Sequence, residues 1–300
     1  MKATYCDHSL IRVSPQRARV SALRGDMEGS SKIRAPLRWA GSKRKSASTL
    51  ISRMPTHIRT YVEPFAGSAC LAFSIKPERL ILGDINPRLI EFYRFLKASP
   101  EELWRHYTSF EACPEAYYQV RAAFNTAIPS LERAAQFLYL NRNCFNGIYR
   151  VNAAGDFNVP WGGDKVGKPL NAEELLAASR ILDRADLLCD DFEVVVQHHL
   201  DQHTFVYLDP PYARDEKRVF REYDQKSFAT KDWSRLLSTL EKIHESGAHF
   251  LMSYAGDPSL IDQLDKWNVG HLDVTRNIGG FKASRRKHRE FIATNYRYAQ

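Results

Sequence analysis

The sequence predicts an α/β protein on a doubly wound, mainly parallel sheet, and three observations carry that prediction. The first is Thr60-Tyr-Val-Glu-Pro-Phe-Ala-Gly67, a β-rich run ending in a glycine turn followed by small residues. The second is Leu80-Ile-Leu-Gly-Asp84, an apolar strand that closes on an acid, so that the two together read as a β–turn–α–β unit. The third is Thr204-Phe-Val-Tyr-Leu-Asp209, a buried-strand signature followed at once by Pro210-Pro211-Tyr212.

The remaining elements follow in order. Residues 1–34 hold seven basic and three acidic residues with few apolar ones, which reads as a flexible basic leader. From Arg34 to Arg53 the chain carries Arg34, Arg38, Lys43, Arg44, Lys45 and Arg53 and no acid, a basic stretch ahead of the first strand. Residues 87–140 have helical periodicity interrupted by Pro100, Pro114 and Pro129. Asn141–Lys168 is polar, aromatic and glycine-rich, and Leu170–Ala185 resumes a helical pattern. A helix over Trp233–Ser246, a strand over His249–Tyr254, a helix over Pro258–Lys266 and two closing strands complete the expected sheet.

Composition narrows the function classes. Of 300 residues, 44% are hydrophobic and 26% charged, which suits a folded core rather than disorder. No apolar run approaches the roughly 20 residues of a membrane span, so no membrane partner is expected. The formal charge of +8 favours a polyanionic partner. Five cysteines without a C-x-x-C pair fit a reducing compartment. His198, His199 and His203 have helical spacing, but no cysteine or carboxylate motif completes a ligand set; they read as solvated histidines, and no metal is expected.

Three motifs carry chemistry. Asp209-Pro210-Pro211-Tyr212 follows an apolar strand, and binding crevices of open α/β sheets lie at the carboxyl ends of strands. The two prolines donate no N–H, so an acid, a bare carbonyl and an aromatic ring stand side by side. That set suits a planar amine, whose two hydrogens Asp209 and the Pro210 carbonyl can accept while Tyr212 stacks on the ring. A plain Asp-Pro-Pro turn is the bland alternative. The second motif is Glu63-Pro-Phe65-Ala-Gly67-Ser-Ala69 with Asp84 17 residues beyond Gly67. A glycine turn admits a ligand close to the backbone, and an acid at this distance can hold ribose hydroxyls. Without a full G-x-G-x-x-G, a nucleoside cofactor lacking phosphates fits better than a dinucleotide; a tight turn with a capping Asp is the bland alternative. The third, Pro36-Leu-Arg38-Trp39-Ala-Gly-Ser-Lys43, is by itself equally a basic anchor before a helix.

In the order LRWAGSK, EPFAGSA, GDIN, DPPY, the chain resembles the Dam-type DNA adenine methyltransferases. The likeness extends through Phe137–Asn152, Gly155–Pro160, Asp191-Phe192, the aromatic spacing of Phe220, Tyr223 and Phe228, and Arg286–Tyr296, covering about Pro36 to Tyr296. It implies a Rossmann-like methyltransferase sheet over 35–86 and 169–300. The inserted 87–168 would be a mainly helical DNA-recognition domain, with a β-hairpin near Asn146–Pro160. The implied reaction is methyl transfer from S-adenosyl-L-methionine, leaving S-adenosyl-L-homocysteine, to the exocyclic amine of a flipped adenine in double-stranded DNA at a GATC-like site. Asp209, Pro210, Pro211 and Tyr212 would be catalytic. Trp39, Lys43, Glu63, Phe65, Gly67, Asp84, Ile85, Asp191, Phe192 and Asp209 would line the cofactor site, with Lys43 on the methionine carboxylate and Asp84 on the ribose. Arg38, Asn146, Ile148, Arg150, Pro160, Arg285, Arg286 and Lys287 would meet DNA, Arg38 and Arg150 as guanine readers and the basic loop Lys282–Arg289, with Arg34–Arg53, on phosphates. A cytoplasmic, nucleoid-associated monomer on DNA, with or without a separate cognate endonuclease, is the implied setting.

Two departures matter. The family's turn reads F-x-G-x-G, whereas Ala69 stands at the last glycine, where a negative φ would make it harmless. Gly162-Gly163 stands where GATC readers carry a basic residue, so the outermost base is expected to be relaxed or read by another residue. Two other readings remain. Cytosine-amine methylation uses the same logic, but those enzymes more often carry Ser in place of Asp209. A catalytically silent DNA-binding regulator would not need Asp209, Asp84 and Gly67 intact, and failure to bind cofactor in calorimetry would favour it.

Overall fold

The computed structural model describes residues 34–75, 77–197, 199–211, 230–254, 258–277 and 285–298. The strands are β1 (Thr60–Glu63), β2 (Arg79–Gly83), β3 (Ala185–Leu188), β4 (Thr204–Leu208), β5 (His249–Tyr254), β6 (Asn268–Asn277) and β7 (Arg285–Thr294). They form one seven-stranded sheet in the order β3-β2-β1-β4-β5-β7-β6. The first five are parallel, and β7 runs antiparallel between β5 and β6. Strand order reverses between β1 and β4, which opens a crevice at their carboxyl ends.

Beyond the short α1 (Ala47–Ser52), two of the three prolines that interrupt the helical stretch are helix starters, as is Pro87, while Pro129 lies just ahead of the cap Ser130. Pro87, Pro100 and Pro114 occupy the first turns of α2 (Pro87–Ala98), α3 (Pro100–Thr108) and α4 (Pro114–Thr126), where a missing N–H costs nothing. Asn86 caps α2 by accepting from the Arg88 and Leu89 amides. Ser130 caps α5 (Leu131–Asn143), and Asn171 with Glu174 forms a reciprocal capping box on α6 (Ala172–Leu182). The helix expected over Leu170–Ala185 therefore starts at Ala172; it ends at Leu182, and Ala185–Leu188 is an edge strand instead. Its four residues with one buried position give no alternation to read. A short helix, α7 (Phe192–Gln197), also escapes the sequence pattern, α8 spans Thr230–Glu245, and Pro258–Leu264 is a 3₁₀ turn rather than an α-helix.

Strand alternation sorts the core into two. One face of the sheet contributes Tyr61, Leu80, Leu82, Phe205, Tyr207, Leu251 and Ile292 to a core continuous with α2–α6. The opposite face contributes Val62, Ile81, Val206, Leu208, Phe250 and Met252 to the core under α7 and α8. The first core runs unbroken into the segment 87–168, where Phe92, Phe124, Phe137, Tyr149 and Phe157 form a chain of ring contacts. Within that segment a small hairpin pairs Val151 with Phe157 and turns at Gly155, whose φ is +84°. Among the described residues, no helix is long and apolar enough to cross a membrane.

Candidate active site

The period of two that builds the first core also builds the site. Continuing the Tyr61, Leu82, Tyr207, Leu251 and Ile292 face toward the crevice places Glu63, Asp84, Asp209, Ser253 and Glu290 on one side of the sheet. Five polar side chains thus line up where the apolar face ends.

Asp209 is the centre of this row. Its Oδ1 lies 2.8 Å from Lys43 Nζ, and Ser253 Oγ donates to the same oxygen at 3.2 Å. Tyr207 and Ser253 hydroxyls are 2.7 Å apart, which extends the chain into the core. Oδ2 makes no hydrogen bond to any described residue. Burial pushes the Asp209 carboxyl up, and the Lys43 ammonium pulls it back. Pro210 is buried, Pro211 is exposed, and Tyr212 lies outside the described residues.

Lys43 differs from its expected place. Its ammonium is 4% exposed and sits between Asp209 and Glu290 Oε2, the latter at 3.3 Å, rather than reaching toward a ligand carboxylate. The short 3₁₀ turn Lys43–Lys45 aims it inward. The rest of the basic stretch is also largely committed to the protein. Arg44 donates to the Ala35 and Leu37 carbonyls, and Arg53 donates to the His271 carbonyl while lying over the Tyr298 ring. The phosphate surface expected over Arg34–Arg53 is thereby reduced, because guanidinium groups satisfy carbonyls that loops leave over.

The glycine turn is tied down on all sides. Gly67 N donates to Asp84 Oδ2 at 3.1 Å, and Tyr93 Oη donates to the Gly67 carbonyl at 2.8 Å. Asp84 Oδ1 accepts from the Asn86 amide at 2.9 Å, so the turn, the acid and the start of α2 form one unit. Gly67 has φ +47°, and a Cβ there would come within 2.7 Å of Trp39 Cδ1. Ala69 also has positive φ, at 49°, so the substitution is not free. A left-handed alanine costs about 1–2 kcal/mol. Its fully buried methyl returns roughly 0.8 kcal/mol, a part of that cost.

Phe65 stacks on Phe192 with centroids 5.2 Å apart, and Arg235 lies over the Phe192 ring at 4.8 Å. Arg235 also bonds Asp191, Glu193 and Asp232, holding the Asp191-Phe192 corner in place. Ile85 beside Asp84 is 57% exposed, unusual for a large apolar side chain. These groups fit a nucleoside: an exposed apolar face and an aromatic wall for a base, and a carboxylate already anchored for ribose hydroxyls. Glu63 is beneath them, 3% exposed, and accepts from Tyr61 Oη at 3.0 Å. Burial pushes it up from 4.5 to about 8, so it is neutral at pH 7 and is part of the floor.

That shift has a measurable consequence. A carboxyl raised on folding contributes stability that is complete below its unfolded value and lost as pH rises through the folded one. Glu63→Gln keeps an acceptor for Tyr61 and removes the titration. The variant is expected to gain melting temperature relative to wild type progressively between pH 4.5 and about 8, levelling above that. Parallel melting curves across that window check it.

The recognition residues divide. Arg38 was expected on guanine, yet its guanidinium donates to the carbonyls of Arg142 (3.1 Å), Cys144 (3.4 Å) and Lys165 (2.9 Å). Its own backbone exchanges two bonds with the Asn141 side chain. It pins the Gly-rich loop to the crevice. Arg150 differs: only Nε is held, by Asn158 Oδ1 at 2.7 Å, and its terminal nitrogens bond no described residue. Asn146 is exposed at φ +56°, Ile148 packs against the core, and Pro160 is exposed with its carbonyl accepting from the Phe145 amide. Tyr149 stacks on Trp39 at 5.7 Å, joining this segment to the glycine turn. Arg285, Arg286 and Lys287 belong to strand β7 rather than to a loop, paired with Asn277, Arg276 and Thr275. Residues 1–33, His198, Phe220, Tyr223, Phe228 and 281–284 lie outside the described residues.

Ser253, Glu290, Tyr93 and Arg235 were not singled out from sequence for the roles they take here. For the first two, the available signal was parity with Asp209 along neighbouring strands.

The chain matches the family model of D12 class N6 adenine-specific DNA methyltransferases over residues 39–278. It is 32% identical over 273 residues to the type II methyltransferase M1.LlaDCHI of Lactococcus lactis subsp. cremoris, covering 88% of this chain and 96% of that protein. It is likewise 32% identical to the type II methyltransferase M.MjaIII of Methanocaldococcus jannaschii, over 87% of this chain and 98% of the relative. The DNA adenine methylase of Escherichia coli K12 is 31% identical over 87% of this chain and 95% of its own length.

Proposed function

Because the chain belongs to the D12 class of N6 adenine-specific DNA methyltransferases, we propose that it moves a methyl group from S-adenosylmethionine to the exocyclic amine of an adenine in duplex DNA. The observation that carries this reading is Asp209. One carboxylate oxygen is saturated by Lys43 and Ser253, and the other is without a described partner at the carboxyl end of β4.

An adenine amine is a poor nucleophile because its lone pair is delocalised into the ring. Asp209 Oδ2 and the Pro210 carbonyl each accept one amine hydrogen, which draws the nitrogen toward tetrahedral geometry and exposes its lone pair. S-Adenosylmethionine, when bound, supplies an electrophilic methyl on a cationic sulfur. The residues do the rest by position and charge, with no covalent link to the enzyme: the methyl would leave sulfur as it joins nitrogen, and the surplus amine proton would depart to solvent by way of Asp209. Asp84 would hold the ribose, Ile85, Phe65 and Phe192 would enclose the cofactor base, and Asp191 would bound its edge. A base inside the duplex cannot reach this crevice, so it is flipped, and Tyr212 replaces its lost stacking.

For sequence reading, Arg150 is the guanine contact, since its terminal fork suits the two acceptors on guanine's major-groove edge. Asn146 and Pro160 face the same duplex, and Arg285, Arg286 and Lys287 hold phosphates. The site is GATC-like with an outermost position that is relaxed or read by another residue, because Gly163 has no side chain to read it. Methyl transfer to duplexes carrying GATC and every single-base variant tests this. Arg150→Ala is expected to cost about 1–3 kcal/mol and to relax one position; a uniform loss across all variants makes it a phosphate anchor. Arg38→Ala, by contrast, is expected to lower stability by about 2–3 kcal/mol through its lost carbonyl partners, visible in a melt without DNA.

A further inference from the structure

Two carboxylates share one lysine at the heart of this site. Lys43 Nζ is 2.8 Å from Asp209 and 3.3 Å from Glu290, with Glu290 1% exposed on β7 and Ser253 fully buried on β5. Lys43 and Asp209 would already neutralise one another. Glu290 brings a further buried carboxylate to the same ammonium, and buried ion pairs are a weak source of stability. Its presence calls for a task other than stability.

We propose that Glu290 is a positioning residue for methyl transfer: it braces the Lys43 ammonium against Asp209 Oδ1, so that Oδ2 alone faces the target amine and the carboxylate stays a competent acceptor. This rests on the assignment of Asp209 to the amine. The two groups act on Asp209 in opposite senses. Lys43 favours its ionised form, while the negative charge of Glu290 opposes it and keeps Asp209 more basic than a simple ion pair would. The other groups facing Asp209 are Glu63 from β1, Cys70 from the turn beyond it, Tyr207 from β4 and Ser253 from β5.

The test needs no bound ligand. Carbon-13 NMR of labelled aspartate carboxyls, assigned with Asp209→Ala, follows Asp209 in the wild type, Glu290→Gln and Lys43→Gln. Asp209 is expected to titrate at lower pH in Glu290→Gln and at higher pH in Lys43→Gln. In steady state, Glu290→Gln should lower kcat roughly tenfold with cofactor affinity by calorimetry unchanged, which also certifies its folding. An Asp209 titration identical in wild type and Glu290→Gln overturns the inference. If wild type methylates adenine and that titration stays put, the inference falls and the functional reading stands. Should the titration move as expected while no methyl reaches adenine, the charge arrangement stands and the functional reading falls.

Discussion

Asp209→Ala is expected to lower methyl transfer about 10³-fold, the combined loss of an amine acceptor and of preorganised charge, while cofactor binding persists. The reason for retained folding is in the pairing. Lys43 remains 3.3 Å from Glu290 when Asp209 is removed, so the variant does not strand a buried ammonium. Calorimetry with S-adenosylmethionine beside single-turnover methylation separates the two effects. Full activity with intact cofactor affinity would remove Asp209 from the chemistry.

Gly67→Ala should also be damaging, by a different route. The new Cβ meets Trp39 Cδ1 at 2.7 Å and Nε1 at 2.9 Å, and the residue is held at φ +47°. Left-handed backbone alone costs about 1–2 kcal/mol, and displacing the indole adds roughly 1–3 kcal/mol of overpacking. Trp39 cannot retreat freely, since its other neighbour is the stacked ring of Tyr149. The expected result is a melting temperature lowered by several degrees and cofactor affinity down roughly tenfold or more. Unchanged values of both would mean that the turn relaxes without involving the cofactor.

Much of this was legible in the sequence because it follows from short-range rules. Short β-rich or apolar runs located β1, β2, β4 and β5, and a glycine or an acid after the first three marked the crevice. Prolines and small polar residues marked where α2 to α6 begin. What stayed hidden depends on distant partners. Lys43 reads as one more surface cation until β4 and β7 bring Asp209 and Glu290 to it. Arg38 carries the donors a guanine needs, and the same donors suit three loop carbonyls, so composition could not choose between them. The edge strand Ala185–Leu188 and the short α7 are set by their neighbours β2 and α8 rather than by local pattern. Ala69 shows the limit in miniature: its consequence turned on the sign of one dihedral angle.

The central claim is that this crevice methylates an adenine amine, and modification-sensitive sequencing of DNA from cells expressing the protein tests it most directly. The account predicts N6-methyladenine at a GATC-like motif, absent from cells expressing Asp209→Ala. Methylated cytosine amines, or unmodified DNA alongside a folded, cofactor-binding protein, would contradict it.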